Sequence, residues 1–201
     1  MRAEKSAGSG SSRQRKSASV MLHREVNGLS VMLPVDRIRS IDISRNTGAT
    51  MVCTQDGVVI VGESFDDTVE RFACCGGSPV VFYKAVNEEP IAIPLQLIER
   101  IETSEVAECS SKVVVLTQEG RICLCDSIDD AVAAANEAGG RICTFHKTLD
   151  MGRVTHIPAG KIKSIEVSSR DDATVVRVGD ARIVVDETME EAVEIFNRSK
   201  D

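Results

Sequence analysis

The chain has 201 residues, of which 42% are hydrophobic and only 3% aromatic, and its formal net charge is −7. This composition excludes an intrinsically disordered protein and predicts a core built mainly from aliphatic side chains. No stretch approaches the roughly 18 apolar residues of a membrane-spanning helix, and no apolar segment follows the basic N-terminal residues as it would in a signal peptide. The sequence therefore predicts a cytoplasmic protein without a membrane span.

Residues 1–19 are predicted to form a disordered basic tail, because Ser, Gly, Lys and Arg dominate there and almost no side chain is apolar. Such a tail can contact nucleic acid or an acidic partner through Arg13, Arg15 and Lys16. The rest of the chain is acidic, which argues against a large nucleic-acid interface. Translation from Met21 would remove the tail, and this alternative stays open.

The opening hairpin of the folded part is predicted from two apolar runs on either side of Asn27-Gly28. An Asn-Gly pair favours a two-residue turn in which both residues have positive φ. Pro34 ends the second strand because proline cannot donate a ladder hydrogen bond. The segment 35–41 is predicted to be a bend or short helical turn before a strand over residues 41–44, and the strands 50–54 and 58–61 follow.

A longer pattern occurs three times along the chain, in residues 50–72, 113–135 and 174–196. Each stretch has an apolar run, a polar turn with glycine, a second apolar run and an acidic segment with helical periodicity. Strand, turn, strand and helix are predicted in that order. Upstream of each stretch, a proline precedes isoleucines by four and seven residues, at Pro34, Ile38 and Ile41, at Pro94, Ile98 and Ile101, and at Pro158, Ile162 and Ile165.

These recurrences predict three tandem repeats, residues 20–77, 78–140 and 141–201. Each repeat is expected to contain about five short antiparallel strands followed by one C-terminal helix. The predicted fold class is therefore α+β, mainly β.

The predicted helices begin with a hydroxyl residue that an acid follows three positions later, at Ser64 and Asp67, Ser127 and Asp130, and Thr188 and Glu191. In such a capping box the hydroxyl accepts from the amide of the acid, and the acid accepts from the amide of the cap. Apolar residues at i, i+4 and i+7 then predict one stripe per helix that covers a sheet face. Glycine pairs end the first two helices, Gly76-Gly77 and Gly139-Gly140.

No catalytic residue, metal site or cofactor is predicted. His23 and His146 occupy the position of Tyr83 in the middle repeat, which favours a structural role, and His156 has no second ligand at a suitable spacing. The acidic pairs in the first helical turns are explained by capping and by the helix dipole. The seven cysteines match neither zinc-site nor redox spacing, so reduced thiols are predicted.

The order of these landmarks resembles that of the FlbD-type small flagellar proteins, also called the SwrD or swarming-motility family. The first repeat carries the resemblance best, through VMLHREVNGLSVMLP, DRIRSIDI, TMVCTQDGVVIVGES and FDDTVERF. The second and third repeats match more loosely, and family members are typically one such unit. The resemblance implies a non-enzymatic role linked to flagellar motility.

The predicted function is therefore a protein-interaction or assembly module. Its partner is expected to be another protein, such as a cytoplasmic motility component, or a second copy of the chain in a homo-oligomer. Two alternatives remain, a nucleic-acid-binding regulator that uses the basic tail and a small-ligand binder that uses a cleft between repeats.

Overall fold

A computed structural model describes residues 18–103, 113–148, 153–169 and 172–199. In this part of the chain, residues in short antiparallel strands greatly outnumber residues in helices. The prediction of an α+β, mainly β, fold is therefore confirmed.

The same order of elements occurs in residues 19–74, 79–137 and 142–198, which we call the first, second and third segments. The first contains β1 (Ser19–His23), β2 (Ser30–Pro34), β3 (Ile38–Ile43), β4 (Thr50–Thr54), β5 (Gly57–Val61) and α1 (Phe65–Cys74). The second contains β6 (Pro79–Tyr83), β7 (Pro90–Pro94), β8 (Ile98–Thr103), β9 (Val113–Thr117), β10 (Gly120–Leu124) and α2 (Ile128–Glu137). The third contains β11 (Ile142–Lys147), β12 (Arg153–Pro158), β13 (Ile162–Val167), β14 (Thr174–Val178), β15 (Ala181–Val185) and α3 (Met189–Arg198).

The two larger sheets cross the boundaries between segments. One has the strand order β5-β4-β3-β7-β6, and the other has the order β10-β9-β8-β12-β11-β15-β14-β13. In both, the opening hairpin of one segment pairs with the third strand of the segment before it. The β1-β2 hairpin forms a two-stranded sheet of its own, joined to β5 by a bridge between Arg24 and Val61.

The third strand of the first segment starts earlier than predicted. A short 3-10 turn, Val35–Arg37, is followed directly by β3, so Ile38 and Ile41 lie in one strand. Residues three apart normally face opposite sides of a strand, but the register shifts between Ile38 and Ser40. This bulge turns both isoleucines into the core, where each is 1% exposed.

The opening hairpin is present, but the prediction of a two-residue turn is wrong. Arg24 donates its amide to the Leu29 carbonyl at 3.0 Å, which leaves four residues between the paired positions. Only Gly28 of the Asn27-Gly28 pair has positive φ. Asn27 instead accepts from the Leu29 amide through its side chain at 3.1 Å, so it closes the turn with a local hydrogen bond.

At the helix N-termini, Ser64, Ser127 and Thr188 each accept from the amide of the acid three residues later. Of the three described helices, only α3 has the complete capping box, in which Glu191 also accepts from the Thr188 amide at 2.9 Å. In α1 and α2 the acid is an aspartate, which is one methylene shorter, and it accepts from the cap hydroxyl instead.

Replacing Ser127 by alanine is expected to lower the free energy of unfolding by about 1 kcal/mol, because the Asp130 amide loses its acceptor. Chemical denaturation monitored by circular dichroism measures this change. Ser127→Thr retains the hydroxyl and is the matched control. Equal losses in the two variants would contradict the capping role.

Among the described residues, three apolar clusters form the core, one for each segment, and the first cluster also contains Ala92 from the second segment. The predicted helix stripes are buried to different degrees. Phe72 of α1 and Ala135 of α2 are at most 1% exposed, whereas Phe196 of α3 is only partly buried. The last helix is therefore the least covered of the three.

Cys123 of β10 is disulfide-bonded, so the prediction of reduced thiols is wrong for this residue. Two sulfurs can be joined wherever the chain brings their Cα atoms within about 7 Å, and sequence spacing does not report that distance. The thiols that remain free in the described residues are Cys53, Cys74, Cys75, Cys125 and Cys143.

The helices are short compared with the thickness of a membrane. Each spans ten residues, about half the length needed to cross a bilayer. Within the described ranges, no helix could therefore serve as a membrane span.

Candidate interaction site

Neighbouring segments are joined by the same strand pairing at both internal junctions. At the first, β3 pairs with β7 and places Ile41 opposite Ala92. At the second, β8 pairs with β12 and places Ile101 opposite His156. In each case the residue opposite the second isoleucine lies two positions before the proline that ends the strand. The two junctions therefore have the same register.

The outer face of the incoming hairpin is covered by the preceding segment. At the first junction Ala92 is 1% exposed and, with its cross-strand partner Val81, packs into the core cluster that contains Phe72 of α1. At the second junction the helix α2 lies against β11. Each internal hairpin is thus held along its edge by a strand and on its outer face by a helix.

His156 takes the covered position at the second junction and is 9% exposed. Its Nδ1 lies 3.0 Å from the Thr144 hydroxyl, which satisfies a ring nitrogen. Burial lowers the pKa of His156, and the Asp129 carboxylate only partly offsets this effect. His156 is therefore a packed and hydrogen-bonded residue of the junction.

A lysine at the end of the first hairpin strand forms an ion pair across each junction. Lys84 Nζ lies 2.5 Å from Asp42 Oδ1, and Lys147 Nζ lies 3.0 Å from Glu102 Oε1. At most one fifth of any of these side chains is exposed, so water screens the charges poorly. Because both acids lie in third strands, the charge pair recurs in the same place as the strand pairing.

The β1-β2 hairpin presents the equivalent face without such cover. Met21 and Met32 are cross-strand partners, as Val81 and Ala92 are in the second segment. They are 53% and 65% exposed. Of the nine large hydrophobic side chains exposed in the described residues, six lie in the first segment, namely Met21, Val26, Leu29, Met32, Val58 and Ile60. We call Met21 and Met32 the open hairpin face.

A carboxylate just before each helix cap holds the opening hairpin of its own segment. Glu63 accepts from the His23 amide at 3.1 Å and lies 2.8 Å from the His23 ring. Glu187 makes the same contacts to His146, and Asp126 accepts from the Tyr83 amide at 2.7 Å. The shared contact is the backbone amide, so tyrosine can replace histidine.

The Glu63 carboxylate has a perturbed pKa. Burial raises the pKa, but hydrogen bonds from the His23 ring and amide and the charge of Arg71 together hold it below the ordinary value. The side chain is only 9% exposed. The ionised carboxylate therefore stabilises the folded chain, and protonation removes that contribution.

The Glu63→Gln variant tests this linkage through pH. A depressed folded-state pKa means that the unfolded state binds more protons, so the stabilisation by Glu63 is complete above about pH 5 and is lost as the pH falls through the folded-state value. The difference in Tm between the native chain and Glu63→Gln is expected to be largest near about pH 7 and to shrink towards about pH 3. Glu70→Gln, on the exposed face of α1, is the control. A pH-independent difference would contradict the assignment.

A cavity of about 490 Å³ lies at the junction of the second and third segments. Its lining includes Leu95 and Pro158 together with the basic residues Arg141 and Lys161. Lys161 Nζ donates to the Gln96 carbonyl and helps to hold the two segments together. The predicted cleft between repeats therefore exists as a space, lined largely by the turns that follow strands β7 and β12.

Comparisons with protein-family models, curated proteins and solved structures find no match to this chain.

The site residues predicted from the sequence are distributed as follows. The tail residues Arg13, Arg15 and Lys16 lie outside the described residues. The six cap residues begin the three helices, where they bind helix amides or each other. Within the described part of the chain, no three His, Cys, Asp or Glu side chains are grouped so as to hold a metal ion.

Sequence reasoning missed the residues that join the segments. Lys84 and Asp42 are 42 positions apart, and no periodicity relates them. A signal was present, because Arg24, Lys84 and Lys147 all follow an aromatic ring residue at the end of the first strand. The exposed face of Met21 and Met32 has no signal of its own in the sequence, since an alternating pattern does not say which face of a hairpin has a neighbour.

Proposed function

We propose that this chain is a non-enzymatic protein-interaction module, built from three copies of one unit, that binds a protein partner through the open hairpin face. The threefold order of elements and the common register of the two internal junctions support descent from a single unit. In such an array each hairpin is a docking element for its neighbour. The first hairpin has no preceding segment in the described chain.

The observation that carries the proposal is the exposure of Met21 and Met32. Their counterparts Val81 and Ala92 are packed against the first segment, so the same face of the same element is used for docking elsewhere in the chain. Fully burying a methionine side chain stabilises a complex by about 1.5–3 kcal/mol. Methionine also adapts its shape to a partner surface more readily than branched side chains do.

Photo-crosslinking in the native host tests the proposal. A benzophenone amino acid in place of Met32 is expected to give a covalent adduct with a protein, because the side chain lies within the docking face. The same amino acid in place of Glu70, on the exposed face of α1, is the matched control. Met21→Lys should reduce the adduct at position 32 several-fold, since a buried ammonium without a partner is costly.

Equal adducts at positions 32 and 70, or none at position 32, would overturn the proposed function. An adduct that persists in a variant without cysteine and histidine would further support a non-enzymatic interface. Crosslinking does not require the partner to be known. The mass of the adduct therefore reports what kind of partner binds.

The resemblance to small flagellar proteins extends the proposal to motility. A strain that lacks this protein is then expected to swim or swarm more slowly on soft agar, and the native gene should restore the rate. Unchanged motility in the deletion strain would remove this part of the proposal without affecting the interaction site.

A further inference from the structure

We propose that the partner of the open hairpin face is a second copy of this chain, bound head to tail: β13 of one copy pairs with β2 of the next, and α3 covers Met21 and Met32. This inference rests on the proposed function and names its partner. The joint would be a third instance of the junction that the chain already makes twice within itself.

Two strand edges have no partner among the described strands and support this joint. Both internal third strands, β3 and β8, pair with strands on either side, whereas β13 pairs only with β14 among the described strands. Likewise β7 and β12 have two neighbours, whereas β1 is the only described strand that pairs with β2. An open edge presents unpaired amides and carbonyls that favour pairing with another strand. The first hairpin and the third strand of the last segment thus present two complementary halves of one junction.

Burial of side chains agrees with these open edges. Ile41 and Ile101 are at most 1% exposed, whereas their counterpart Ile165 is only partly buried. On the other half, Ala92 is 1% and Met32 65% exposed. The residues that meet at the internal junctions therefore correspond to Ile165 and Met32, which are more exposed.

The register of the new joint follows from the internal ones. The second isoleucine of the third strand lies opposite the residue two positions before the strand-ending proline. Applied to the open edges, this rule places Ile165 opposite Met32 in an antiparallel pair. Both side chains are apolar, so the pairing would remove apolar surface from water on both copies.

Charge is complementary at the same place. Arg24 occupies the position of Lys84 and Lys147, and Glu166 occupies that of Asp42 and Glu102. Arg24 is exposed. Glu166 lies 2.7 Å from Arg177 in its own segment, just as Glu102 binds Arg100 as well as the lysine across its junction. An Arg24–Glu166 pair would be the third ion pair of this kind, after Lys84–Asp42 and Lys147–Glu102.

The last helix supplies the cover. The helices α1 and α2 each lie against the first strand of the following hairpin, β6 and β11. Phe196 of α3, which corresponds to Phe72 of α1, is only partly buried. A hairpin from a second copy would bury it together with Met21.

The geometry favours two copies over closure of one chain on itself. No described strand of the same molecule pairs with either edge, and Met32 is exposed. A head-to-tail contact uses two different surfaces, so it forms a closed ring when the rotation permits and a filament otherwise. Two copies in a ring would contain six segments and leave no strand edge of this kind open.

Light scattering coupled to size-exclusion chromatography tests the inference, with charge reversals that separate the two surfaces. The native chain is expected to form a dimer or larger oligomer. Arg24→Glu leaves two acids at the joint, and Glu166→Arg leaves two bases. The dissociation constant of the oligomer is therefore expected to be at least tenfold higher for each variant alone. Mixing the two in equal amounts should restore association, because each joint then contains one acid and one base.

Glu70→Arg carries the same change in charge as Glu166→Arg, but on the exposed face of α1, and should associate as the native chain does. Circular dichroism verifies that each variant is folded. A native chain that is monomeric at about 100 µM, a concentration at which moderate affinities are populated, would overturn the inference. So would single variants that associate normally, or a mixture that fails to recover.

Failure of this inference differs from failure of the proposed function. A monomeric chain that still gives an adduct of another protein at position 32 retains the interaction site and excludes self-assembly. An adduct of twice the mass of the chain supports both. Absence of any adduct rejects the open hairpin face itself.

Discussion

Replacing Lys84 by methionine is expected to lower the free energy of unfolding by about 3 kcal/mol, because it leaves the Asp42 carboxylate without its partner at the first junction. Lys84 is 8% exposed, and its Nζ lies 2.5 Å from Asp42 Oδ1. Methionine preserves most of the side-chain volume, so the loss reports charge and not packing. Urea denaturation of the native chain, the two single variants and the double variant Lys84→Met/Asp42→Leu measures the coupling.

The double variant is expected to recover much of the loss, because the Asp42 carboxylate is removed together with its partner, while the second acid near Lys84, Glu89 at 3.7 Å, is 32% exposed and stays solvated. Lys163→Met is the control, since Lys163 and Asp180 form an exposed pair 3.7 Å apart whose removal should cost less than about 0.5 kcal/mol. If Lys84→Met costs no more than Lys163→Met, the pair across the junction does not hold the segments together.

Replacing Gly140 by alanine is expected to cost about 3 kcal/mol, because there is no room for a methyl group. A Cβ on Gly140 would lie 2.4 Å from the Ala135 carbonyl oxygen and 3.1 Å from Leu95. The close approach is needed because the Gly140 amide donates to that carbonyl at 2.8 Å and ends α2. Relief of the clash would displace the chain that leads into β11 and hence the second junction.

Gly160→Ala is the matched control at the same junction. A Cβ on Gly160 meets nothing within 4 Å, and both glycines line the cavity between the second and third segments. The control should change the free energy of unfolding by less than about 0.5 kcal/mol. Thermal denaturation that ranks the two variants equally would contradict the steric argument.

Both predictions concern the places where one segment binds the next, and the proposed joint between two chains copies those places. The Lys84–Asp42 pair is the internal counterpart of the proposed Arg24–Glu166 pair. A large coupling energy at the internal pair would therefore indicate how strongly charge reversal should affect association. A small coupling energy would indicate that strand pairing and the burial of Met32 contribute more to the stability of the joint than the ion pair does.

Local structure was largely predictable because it depends on residues close in the sequence. Hydroxyl and acid residues three apart predicted the helix starts, and each hydroxyl accepts from an amide within its own first turn. The Asn27 turn and the Ile38 strand start were predicted less well. In both, the backbone adopts a local irregularity, a longer turn and a bulge, that apolar periodicity alone does not encode.

The arrangement of the strands could not be predicted in the same way. Alternating apolar residues identify two faces of a strand, but they do not indicate which other strand pairs along its edge. The pairing of β3 with β7 joins residues about fifty positions apart. The open hairpin face had the same limitation, because Met21 and Val81 have similar patterns and differ only in what lies against them.

The sequence by itself determined the alternation of strands and helices, the helix caps and the isoleucines of the core, because each follows from hydrogen bonds or periodicity within a few residues. The tertiary structure alone decided that hairpins cross into the preceding segment, that Lys84 meets Asp42, and that β2 and β13 each have one unpaired edge among the described strands. Those features depend on which distant surfaces exclude water from each other, and that selection is made only when the whole chain packs.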